Sequence, residues 1–203
     1  MKVNEKTKLY QVIYQNIENS LQDIREKTEE KKEHLCAVGL GYVAQFCGFF
    51  TVGLSLERFT ELQDNVWWIP EWGCESSVNL PAFREELQRL EQEYEGRYTE
   101  QEYDALMADD EAVDIYFDAF IENYQNTSIQ VLQDLRKEGK LKADNGEELV
   151  VILQYADCHD EDFEEVSFSK INPVELVPLF ANRFKRKSGD NLFDYWSEKY
   201  QAL

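Results

Sequence analysis

From Leu35 to Leu56 the chain carries its longest weakly polar stretch, and that stretch decides the fold class. Gln45, Thr51, Ser55 and four glycines break it up, so it lacks the unbroken apolar length of a membrane-crossing helix. Its β-branched and aromatic side chains suit buried strands instead. Two runs, His34 to Ala44 and Cys47 to Leu56, meet at a Gln45-Phe46 step and read as a hairpin. Gly39 and Gly41 belong to no phosphate-binding pattern, and glycines within strands mark bulges or close backbone approach.

Helical periodicity surrounds this hairpin. Leu9, Val12, Ile13, Ile17, Leu21 and Ile24 recur at steps of three and four on one helix face. The charged run Arg25 to Glu33 continues it as a solvated helix end or a connector. Ser55 is a candidate cap for a short helix through Leu62. Pro81 to Tyr94 reads as a helix, and Thr99 with Glu102 forms a capping box for the next. Asp109 to Tyr124 continues as helix, with Asn126-Thr127 a candidate break. Ile129, Leu132 and Leu135 then lead to a C-cap at Gly139. Asp144-Asn145-Gly146 signals a turn into a strand over Leu149 to Ala156. Asn172 and Pro173 read as the cap and first residue of a helix through Phe184. A last short helix carries Leu192, Phe193, Tyr195, Trp196 and Tyr200, aromatics that pack either on the body or on a second copy.

These elements predict one α+β domain over 1–203, with a mainly antiparallel sheet packed by several helices. Its parts are an N-terminal helix (4–33), an acidic helical segment (82–138) and a C-terminal strand with helices (148–203). The N-terminus lacks the apolar run of a signal peptide, which points to the cytoplasm and to reduced thiols at Cys36, Cys47, Cys74 and Cys158. Cys36 and Cys47 read as small core residues.

Candidate chemistry is sparse. Only two histidines occur, His34 and His159, each close in sequence to a cysteine, Cys36 and Cys158. Residues i and i+2 of a strand share a face, which would let His34 meet Cys36. The loop from Asp157 to Glu165 is acidic but lacks the glycine and the ligand alternation of a calcium loop. The cysteine spacings match no zinc pattern. No catalytic residue, metal site or cofactor is therefore expected. Trp67, Trp68 and Trp72 form either a ligand platform or a packing cluster over the sheet.

Charge is the other strong signal. Asp and Glu number 41 against 21 Lys and Arg, a net charge of −20. This excludes a phosphate-neutralising nucleic-acid binder and disfavours an anionic membrane surface. The acids cluster: 14 against 3 bases lie between Ala82 and Tyr124, and six with no base lie between Asp157 and Glu165. Arg183 to Lys187 is the one basic cluster. Glu102, Asp104, Asp109, Asp110, Asp114, Asp157, Asp160, Glu161 and Asp162 are the candidate contacts for a basic partner. The competing reading is a solvated helical surface.

The order of elements resembles the bacterial family known as domain of unknown function 4303. The likeness is carried by the long N-terminal helix, the strands Leu35 to Val43 and Phe49 to Leu56, and the segment Glu57 to Leu62. Trp68-Ile-Pro-Glu-Trp72, Val131 to Gly139, the Asp157–Asp162 loop, and Ser169-Lys-Ile-Asn172-Pro173 continue it. The resemblance implies an immunity-type protein that binds and neutralises a basic toxin or effector, and it carries over no catalytic residue. Two other functions compete on residue chemistry. One is a small-molecule binder or hydrolase built on the Trp67–Trp72 region with Cys36 or His34. The other is a structural or adaptor domain whose acidity only keeps it in solution.

Overall fold

The computed structural model describes residues 7–43, 48–108, 110–185 and 190–201, with the side chains at 63–64, 110–119 and 199–201 outside the description. Strands β1 (Leu35–Tyr42), β2 (Phe49–Ser55), β3 (Cys74–Glu75) and β4 (Val150–Tyr155) form one sheet in the order β3-β2-β1-β4. The expected hairpin is present: β1 and β2 pair antiparallel from Tyr42 with Phe49 to Leu35 with Ser55. Its tip, with Gln45, Phe46 and Cys47, lies outside the described residues. β3 also pairs antiparallel with β2, but β4 runs parallel to β1. Two of the three pairings are antiparallel, as expected of a mainly antiparallel sheet, and the parallel one makes the sheet mixed. The reason is the long helical crossover between β3 and β4, which returns the chain to the end of the sheet from which β1 started.

Helices cover both faces of this sheet. Alternation along the strands sends Val38, Leu40, Tyr42, Phe49, Val151 and Leu153 into one core. There they meet α1 (Lys8–Lys31), α3 (Pro81–Glu95) and α5 (Asp110–Lys137). Ala37, Val52, Leu54, Val150 and Ile152 point the other way, onto Phe59 of α2 (Leu56–Leu62), Phe180 of α7 (Val177–Ala181) and Trp196 of α8 (Leu192–Gln201). Burial on both faces explains why β4 reads as the continuous run Val-Val-Ile-Leu. α4 (Glu100–Met107) buries no residue fully and lies against α5, and α6 (Glu161–Ile171) runs beside the edge strand β4.

Local chemistry accounts for the element ends. Thr7 caps α1, accepting from the Tyr10 amide at 3.2 Å. The charged run after Ile24 is helical as far as Lys31, because Thr28 is buried and its hydroxyl donates to the Ile24 carbonyl. Lys32 then takes the left-handed conformation, φ 59°, that closes α1. Gly139 does the same for α5 at φ 73°, with Lys140 N bonded to Leu135 O and Gly139 N to Arg136 O. Asn126-Thr127 does not interrupt α5: Thr127 and Ser128 return their hydroxyls to the Asn123 and Tyr124 carbonyls, one turn back, and stay within the helix. Phe193 and Trp196 of α8 lie against Phe59, so these C-terminal aromatics pack on the body.

The approach of α1 to the sheet depends on Gly53. A Cβ there would lie 2.5 Å from Ile24 Cγ2 and 2.9 Å from Leu35 Cδ1, and Ile24 is fully buried. Gly53→Ala is expected to lower stability by about 2–3 kcal/mol, the usual cost of overpacking a filled core. Urea unfolding measures it, and an unchanged midpoint would refute this contact between α1 and the sheet.

The Asn172-Pro173 expectation is corrected. No helix starts at Asn172; it ends α6, and only a short 3-10 turn (Val174–Leu176) and the five-residue α7 follow. The side chain serves the open edge of β4 instead. Its Oδ1 accepts from Val151 N at 2.8 Å and from Arg136 Nη2 at 3.2 Å. Its Nδ2 donates to Val151 O at 2.7 Å and to Phe168 O at 3.2 Å. One buried amide thus stands in for a neighbouring strand along one residue of the edge.

Candidate functional site

A buried polar network lies at the carboxyl end of the parallel pair β1 and β4. Alternation turns Gln154, fully buried, toward the face carrying the tryptophan segment. Its Oε1 accepts from Ile69 N at 3.1 Å, and its Nε2 donates to Trp67 O at 3.0 Å and Glu164 Oε1 at 2.9 Å. These bonds satisfy the inward backbone of the turns at 63–71, which would otherwise be buried without partners.

Glu164 is the hub. It sits in the first turn of α6, 2 % exposed, and its other oxygen accepts from Arg183 Nη2 at 3.2 Å. Arg183 is itself 1 % exposed, stacked on Phe180 and Phe184, and bonded through Nη1 to Glu165 and to the Phe180 carbonyl. The sequence places Arg183 at the head of a basic cluster. It is instead a buried partner of an acid, and Arg186 and Lys187 of that cluster lie outside the described residues.

His159 closes the network at the surface. Its Nδ1 is 2.9 Å from Glu164 Oε1 and also 2.9 Å from Gln154 Nε2. Both Gln154 hydrogens are committed to Trp67 O and Glu164, so the assignment that satisfies every group puts the imidazole proton on Nδ1, donating to Glu164. The imidazole ring also lies against Trp68, 4.9 Å away centroid to centroid, and Phe184, 6.5 Å away. A carboxylate-held imidazole of this kind can orient a proton acceptor. The adjoining Cys158 is not an activated nucleophile: burial and then the Asp157 carboxylate push its thiol pKa up, which disfavours the thiolate.

The other sequence-flagged residues scatter. His34 bonds Glu57 through Nδ1 at 2.6 Å, and Cys36 Sγ donates to Leu54 O at 3.2 Å. The strand register slips between Leu35 and Ala37, within the alternation on which their meeting was expected. His34 and Cys36 both line a small cleft of about 60 Å³ with Trp196. Cys36 is half-buried, Cys74 is the buried cysteine among the described residues, and Cys47 lies outside them. Trp67 and Trp72 are core residues. Trp67 stacks on Trp196, and Trp72 Nε1 donates to Val66 O at 2.8 Å. Only Trp68 reaches the surface, half-buried.

Several of the acids have local tasks. Glu102 Oε2 accepts from Thr99 N and Oγ1, both at 2.8 Å, and these bonds hold its carboxyl below the usual range. Asp160 caps α6, accepting from Phe163 N at 3.0 Å, and Glu161 and Asp162 occupy the first turn, where the helix dipole favours acids. Much of the expected acidic loop is therefore a helix start. Asp104 and Asp157 are exposed. Asp109 lies outside the described residues, as do the side chains of Asp110 and Asp114 on α5. Among the described residues no group of three His, Cys, Asp or Glu side chains is placed to hold a metal, and no helix is long and apolar enough to cross a membrane.

Comparison with known proteins found no matching family model, no matching curated protein and no matching solved structure.

Proposed function

We propose that this chain is a non-enzymatic binding protein whose acidic helical layer, α3 to α5, receives a basic protein. The observation that carries this reading is uncompensated charge. Glu85, Glu100, Asp104 and Glu122 are exposed on that layer and make no ion pair among the described residues. Two of the nearby bases are already engaged, Arg89 by Glu86 and Glu93, and Arg97 by Glu93. Exposed like charges steer an oppositely charged partner and raise its association rate. The structural placement of Glu102, Asp160, Glu161 and Asp162 narrows the surface to the acids without a local task. A bacterial toxin or effector is the partner that the resemblance implies, and the motifs quoted for that resemblance are its whole support. The tryptophan-platform alternative is weakened by the burial of Trp67 and Trp72.

The test begins with capture of partners from source cells at low salt and their release at high salt. With the captured protein in hand, the triple variant Glu100→Lys, Asp104→Lys, Glu122→Lys is expected to associate about tenfold more slowly or worse, with a smaller change in dissociation. Surface-immobilised kinetics reads both rates. An unchanged association rate, insensitive to salt, would sink the proposal.

A further inference from the structure

At a net charge of −20, most surfaces of this chain repel a second copy. The outer face of α6 differs. This helix buries Glu164, Ser167, Phe168 and Ile171 on one side and leaves Asp162, Val166, Ser169 and Lys170 exposed on the other. Val166 is 51 % exposed. It borders an apolar groove of about 190 Å³ between α6 and α7, together with Phe168, Val177, Phe180 and Ala181. Five large apolar side chains are exposed among the described residues, and three of them, Val166, Val174 and Phe184, lie on α6 or the segment that follows it. A single exposed apolar residue is ordinary, whereas several grouped around one groove mark a contact surface.

The charges on that face say what covers it. Asp162 stands four residues before Val166 and Lys170 four after it, about 12 Å apart along the helix at about 1.5 Å per residue. Both are exposed, and neither makes an ion pair among the described residues, whereas Glu165 beside Val166 is bonded to Arg183. Asp162 lies in the first turn of α6 and Lys170 in the last, each where the helix dipole favours it. The face therefore reads acid, apolar, base. Turned end for end about an axis at Val166, a copy of it reads base, apolar, acid. The two are complementary, which is what an isologous two-fold contact requires. A uniformly basic partner would meet Asp162 but oppose Lys170.

We infer that two copies of this chain associate through α6, antiparallel, with Val166 of each copy against Val166 of the other. Asp162 of each copy pairs with Lys170 of the other, so the contact carries two symmetric ion pairs around an apolar centre. A contact made by one helix face of an eleven-residue helix is small, and the dimer it forms is a reversible one rather than an obligate one. The inference does not rest on the acidic-layer proposal, whose variants lie on α4 and α5.

The test is sedimentation velocity of the full-length protein from about 5 to about 500 µM in about 0.15 M salt, where repulsion between distant charges is screened. The mass is expected to rise with concentration toward twice that of the chain. Lys170→Glu and Asp162→Lys each set like charges face to face at both symmetric positions, so each should weaken dimerisation about tenfold or more. Mixed together, the two variants should associate again, because both cross-pairs are then opposite in charge. Val166→Asp removes the apolar centre and should leave a monomer with little change in melting temperature, since the side chain is exposed already. Melting curves of the other variants check that each is folded. Wild-type protein that stays monomeric over the whole range overturns the inference and leaves this face to a different occupant. A dimer that survives Val166→Asp and Lys170→Glu, or one that mixing the charge variants fails to restore, overturns the antiparallel α6 contact.

Discussion

Arg183→Met lowers the stability of this protein by about 3–5 kcal/mol, the cost of leaving a buried ion without its counter-ion. Methionine keeps most of the aliphatic stem but removes the guanidinium, which lies over the Phe180 and Phe184 rings and faces Glu164 at 3.2 Å. Both side chains of that pair are 1 % exposed, so water cannot take over for the missing charge. Urea unfolding followed by fluorescence measures the loss. A second variant separates lost pairing from lost packing. In the Arg183→Met background, Glu164→Gln neutralises the stranded charge while keeping an oxygen for His159 and Gln154. The double variant should therefore be more stable than Arg183→Met alone by about 1–3 kcal/mol. If it is less stable, the ion pair is not what Arg183 contributes.

Asn172→Leu is expected to cost about 3 kcal/mol, because it leaves the amide and the carbonyl of Val151 buried and unpaired at the edge of β4. Arg136 adds to the loss, since its Nη2 uses Asn172 Oδ1 as well as Leu149 O. Hydrogen exchange supplies a local check: the Val151 amide should exchange much faster in the variant, while Leu40 and Val52 in the sheet interior change little. Unchanged protection at Val151 would show that something other than Asn172 seals this edge.

Asn172 has the sequence context of a helix cap, and Arg183 that of an exposed basic run. Both assignments follow from local pattern, and both are overridden by long-range contacts: a strand 21 residues upstream for Asn172 and a buried acid 19 residues upstream for Arg183. The acids show the same limit. Their clustering at Asp157–Glu165 is plain in the sequence, but only the start of α6 at Glu161 reveals that Asp160 is a cap and that Glu164 points into the protein. A polar residue's task depends on which partner the fold brings to it, and that information is not local.

The sequence by itself determined the elements whose causes are local or periodic. The apolar face of α1, the capping box of α4, the glycine end of α5 and the β1–β2 hairpin were all legible, because 3.6- and 2-residue periods and cap chemistry act within a few positions of the chain. Tertiary structure alone decided the parallel placement of β4, the bulge between Leu35 and Ala37, and the burial of Trp67 and Trp72. Each of those depends on where a crossover returns the chain or which side chain faces it from another element. Neither is encoded within a window of neighbouring residues.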